Sequence, residues 1–68
     1  MNGKNGNSEL RGVITSELSQ PKPGKKWRVH FGATDWFADA EQMFNFEPGD
    51  IVRVIGQKTA TTLLVEPV

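Results

Sequence analysis

Polar and apolar residues alternate most cleanly over residues 26–31, where Trp27, Val29 and Phe31 fall on one face and Lys26, Arg28 and His30 on the other. A period of two marks a strand with one face buried. The pattern returns over residues 35–40, with Trp36, Ala38 and Ala40 set against Asp35, Phe37 and Asp39. It returns again over residues 51–57 and 62–67, both rich in the β-branched and aliphatic residues that suit a pleated surface. Upstream, residues 10–18 contain Val13, Ile14 and Thr15 and read as the first strand, with Gly12 marking a bend or bulge. Residues 19–25 carry Pro21, Pro23 and Gly24 and are expected to form a loop. Residues 32–34 turn between the second and third strands, and Pro48-Gly49 fits the centre of a type II turn. Residues 41–46 follow no period and are expected as a loop whose Met43, Phe44 or Phe46 plugs one end of the core.

Five short strands, with the longest irregular connection between the third and fourth, predict an all-β fold. The expected architecture is a small five-stranded barrel of the oligonucleotide/oligosaccharide-binding (OB-fold) type over residues 9–68, with an SH3-like barrel as the other five-stranded candidate. Residues 1–8 offer almost nothing to bury and read as a flexible, disordered arm or linker remnant. In a closed barrel one face of every strand fills the interior. Placing Trp27, Val29, Trp36, Ala38, Val52, Val54, Leu63 and Val65 inside forces Phe37, Ile51, Ile55 and Leu64 outside. With the fifth strand between the third and fourth, these four are expected side by side. Such a contiguous apolar patch marks a partner-binding surface unless the 43–46 loop and the arm cover it.

Composition narrows the function classes. A chain of 68 residues buries only about 60% of its unfolded surface, which leaves no spare core for a roomy small-molecule pocket. Its eight Lys and Arg balance eight Asp and Glu. A nucleic-acid domain ordinarily carries a basic excess, because neutralising phosphate supplies most non-specific affinity. The nucleic-acid alternative would use the second and third strands, with Lys22, Lys25, Lys26, Arg28, His30 and Phe37 as the binding set. Opposing Asp35 and Asp39 across the hairpin weaken that field. No run approaches the roughly 18 to 20 apolar residues that span a bilayer, and the first residues lack a signal-peptide core, so the chain reads as a soluble domain.

Catalytic chemistry finds no foothold. There is no cysteine, and His30 is the single histidine, on the polar face of its strand. Asp39 and Glu41 lack further oxygen ligands for a metal. Gly24-Lys25-Lys26 is followed by strand pattern rather than the helix a phosphate loop requires. The expectation is a binding module without catalytic residues, metal or cofactor.

The ordered motifs do resemble a family. Trp27-x-Val29 leading to Gly32, then Trp36-x-Ala38, then Pro48-Gly49-Asp50-x-Val52-x-Val54, and finally Leu63-x-Val65-x-Pro67 are similar to the C-terminal soluble domain of NfeD-like membrane proteins. The likeness covers about residues 10–68. It implies an OB-type barrel, and a protein–protein interaction role beside stomatin-like (SPFH) scaffold proteins of the membrane. It implies, too, a domain on the aqueous, cytoplasmic side of a membrane protein. The serine protease domain of longer relatives has no counterpart in these residues. The transmembrane helices of the family are not in this sequence, so the chain is either a piece of a longer membrane protein or a free-standing relative. The lysine-rich loop at residues 22–26 matches nothing in the family pattern and inherits no role.

Overall fold

A computed structural model describes residues 10–68; the arm expected over residues 1–8 lies outside the described residues. The alternating segments all become strands: β1 (Arg11–Lys22), β2 (Lys25–Phe31), β3 (Thr34–Asp39), β4 (Ile51–Gln57) and β5 (Thr62–Pro67). They close into a barrel in the order β1-β2-β3-β5-β4, with β4 returning to β1. Every neighbouring pair is antiparallel except β3 and β5, which run parallel over Phe37–Asp39 and Thr62–Leu64. Among the described residues there is no helix, and none long and apolar enough to cross a membrane.

The inward phase read from the alternation holds. Trp27, Val29, Ala38, Val52, Leu63 and Val65 are buried, joined by Ile14, Ala40 and Phe46, while Trp36 and Val54 are half-buried against them. Burying each large apolar side chain stabilises the fold by about 1.5–3 kcal/mol, so these few residues carry most of the core's contribution. Phe46 closes one end by packing edge-on against Trp27, with ring centroids 4.8 Å apart, and Phe44 stacks behind it at 5.5 Å. Met43 takes no part in this plug and is 94% exposed.

Strand β1 departs from expectation. The stretch from residue 19 was expected as a loop, yet β1 continues to Lys22, which pairs with Lys25 across a tight Pro23-Gly24 turn. Pro21 is tolerated because the register breaks between Glu17 and Lys22, and Pro23 because it stands in the turn. Three more residues accumulate on β1 than on β2 there, so Pro21 stands where the ladder asks for no N–H. Gly12 serves close approach rather than bulging. A Cβ there would lie 2.8 Å from Val29 Cγ2 and 3.0 Å from the His30 carbonyl oxygen, while the bulge falls between Ile14 and Ser16. The Pro48-Gly49 turn forms as expected: Gly49 has φ of 96°, and the Asp50 N–H donates to the Glu47 carbonyl at 3.0 Å.

Candidate functional site

The outer surface of β2 and β3 is where the sequence's charged and aromatic candidates meet. Register sets Arg28 opposite Phe37 and His30 opposite Asp35. His30 Nδ1 and Asp35 Oδ1 stand 2.9 Å apart on the exposed surface, so the histidine is spent on a cross-strand partner. Arg28 lays its guanidinium over the Phe37 ring, 4.5 Å from the centroid. Lys25 reaches the same ring from the hairpin, with its ammonium at 4.7 Å. One half-buried phenyl ring therefore holds two cations, each contact worth about 0.5–1 kcal/mol at such a site.

Phe37 also separates two shallow hollows. One, of about 310 Å³, is lined by Arg28, Thr34, Asp35, Trp36, Ala60 and Thr61 as well as Phe37. The other, of about 250 Å³, is lined by Leu18, Ser19, Gln20, Lys22, Lys25 and Phe37. Trp36 is fixed at the floor of the first by donating its indole N–H to the Phe31 carbonyl at 3.0 Å. Lys26 faces away from this pair of hollows, toward Trp27, Pro23 and Phe44.

Of the four outward apolar residues, Leu64 pairs in register with Gly56, next to Ile55, while Phe37 and Ile51 pair elsewhere, with Arg28 and Val13. Phe37 lies under its two cations. Two residues along β3, Asp39 pairs in register with Leu64 and forms an ion pair with Lys58 from the β4–β5 turn. Leu64 is half-buried beside that pair. Ile55 stands exposed at the bulge in β4, between Val54 and Gly56. Ile51 is 51% exposed and pairs with Val13, which is 40% exposed. On its other side Ile51 shares a hollow with Phe44, Pro67 and Val68, the last 55% exposed. Three of the exposed apolar residues, Val13, Ile51 and Val68, thus fall in a row across β1, β4 and the residue that follows β5. Val13 was legible as an outward residue once Ile14 is placed inside; Val68 carries no periodic signal of its own.

Asp39 is the one buried carboxylate among the described residues. Burial, the largest single influence, pushes its pKa up. The Lys58 ammonium, the Ala40 N–H and the charge of Lys26 together outweigh it and hold the carboxyl below its ordinary value. The pair ties β3 to the turn that leads into β5. No group of metal-ligating side chains occurs among the described residues. Comparison with protein-family models, curated proteins and solved structures finds no match.

Proposed function

We propose that this barrel is a non-catalytic docking module of the NfeD type, an OB-type domain that engages a stomatin-like scaffold protein at the aqueous, cytoplasmic side of a membrane. The strand order, with β5 inserted between β3 and β4 in parallel to β3, suits the OB assignment. Residues that carry the resemblance stand at structural positions: Trp27, Val29, Ala38, Val52, Leu63 and Val65 in the core, Gly32 and Gly49 in turns. They support a shared fold, so the docking role must rest on the outer surface. The observation that carries it is the exposed Val13–Ile51–Val68 row, in which Val13 and Ile51 pair across β1 and β4 and Val68, just past β5, lines a hollow with Ile51. Apolar side chains gathered on an outer face are what an interface core buries.

The test is capture of the scaffold from detergent-solubilised membranes on the immobilised domain, beside Ile51→Glu. Ile51 is exposed, so the substitution leaves the core intact. Capture of a stomatin-like protein by the parent domain, and its loss with Ile51→Glu, is the expected result. Equal capture by both, or none by the parent, overturns the reading.

A further inference from the structure

The cations of this neutral chain are unevenly satisfied. Arg53 pairs with Glu66, Lys58 pairs with Asp39, and Lys26 adds its field to the same aspartate. Arg11 is likewise engaged. That leaves Lys22, Lys25 and Arg28, which have no carboxylate partner among the described residues, and all three line the hollows that meet at Phe37. A phenyl ring orients Lys25 and Arg28 but carries no net charge, so it holds two like charges close without neutralising them. Asp35, the one carboxylate lining these two hollows, is paired with His30, so the surface carries more cations than anions.

A second, independent feature says what shape of anion fits. Strand β5 covers β3 only from Phe37 to Asp39. The preceding residues, Thr34 to Trp36, have no register partner on that side and line the same hollow as Arg28; Phe37 gives its N–H to Thr61 there, so by alternation Asp35 is the one of the three whose backbone groups face away from β2. An uncovered strand edge presents backbone N–H and C=O groups to an extended peptide. We infer that the surface formed by Lys22, Lys25, Arg28 and Phe37, with the Thr34–Trp36 edge, binds an acidic extended segment of a partner protein. This deepens the docking role and rests on it. Partner carboxylates meet Arg28, whose planar fork accepts them in bidentate fashion, and Lys25 and Lys22 beyond the ring. A single-stranded nucleic acid fits less well. Its bases need a bare aromatic face, whereas Phe37 lies under two cations and is the only phenyl or indole ring in the outward phase of β2 and β3.

The experiment is a titration of the ¹⁵N-labelled domain, followed by amide shifts, with hexaglutamate and separately with an oligothymidylate at low salt. Hexaglutamate should move the amides of Lys22, Lys25, Arg28 and residues 34–37. Lys25→Ala with Arg28→Ala should weaken it about tenfold, as expected for two partly exposed charge contacts. Lys22→Ala, at an exposed position, should weaken it less and guards against misfolding of the double variant. No shifts, shifts centred on Arg53 or Lys58, or unchanged affinity in the variants would overturn the inference. So would tighter binding of oligothymidylate at the same amides, with affinity falling against salt at a log–log slope near about −2 for three phosphate contacts. If the scaffold is still captured by the Lys25→Ala/Arg28→Ala variant but lost with Ile51→Glu, the docking role stands and the acidic-segment site alone fails.

Discussion

Ala33 holds a backbone conformation that its side chain resists. It follows Gly32 in the two-residue turn between β2 and β3, and both have positive φ, 62° and 71°. That turn type matches the twist of a hairpin, but for a residue with a Cβ the left-handed region costs about 1–2 kcal/mol. Ala33→Gly removes that cost and gives part of it back through a freer unfolded chain. The expected outcome is a net gain of up to about 1 kcal/mol, or a rise of several degrees in melting temperature for a domain of this size. An unchanged or lower melting temperature would mean that the turn relaxes around alanine. Gly32-Ala33 was readable from the sequence as a turn, because the alternation stops there; that alanine would take the left-handed position was not, since alanine gives no local signal for it.

Among elements, the seam between β3 and β5 is the informative one. It has three register pairs, against five between β2 and β3, and Asp39–Lys58 fastens it from outside. Because the folded carboxyl of Asp39 titrates below its unfolded value of about 3.9, the pair's contribution is complete above that pH. It is lost as pH falls through the lower, folded value. Lys58→Met should cost about 1–3 kcal/mol at neutral pH, by leaving a buried carboxylate short of its main partner. In urea titrations the parent and variant should converge as pH falls through the lowered folded value and Asp39 takes up its proton. A gap that persists at acid pH would assign the loss to packing of the lysine stem. This seam also shows where sequence reading stops. Alternation placed β4 and β5 and the inward phase of Trp27, Val29, Ala38, Val52, Leu63 and Val65, but not that of Ile14. It could not show that Lys58 reaches Asp39, because a side chain in a turn finds its partner only when the barrel closes. The same limit hid the meeting of Lys25 and Arg28 on Phe37: each was a visible candidate, but their convergence depends on the hairpin register. The continuation of β1 past Ser19 was masked by Pro21, which the register break makes harmless, and by Pro23, which falls in the turn.

At the scale of the whole molecule, local and distant pairings are divided unequally. The β1–β2–β3 meander joins strands that follow one another through two-residue turns, whereas the parallel seam joins Phe37 to Thr62 across all of β4. Loop-closure cost makes such distant pairings form late. Val29→Ala, at the centre of the meander, should mainly slow folding; Leu63→Ala, in the seam, should mainly speed unfolding, as rapid-mixing kinetics in urea would show. The reverse pattern would place the seam in the folding nucleus. The position of β5 has a consequence for the chain as it is made. This strand alone pairs with both β3 and β4, so until Thr62–Pro67 has left the ribosome the nascent sheet has two bare edges and an open core. Protection of this barrel from aggregation during synthesis rests on the emergence of its fifth strand, six residues long.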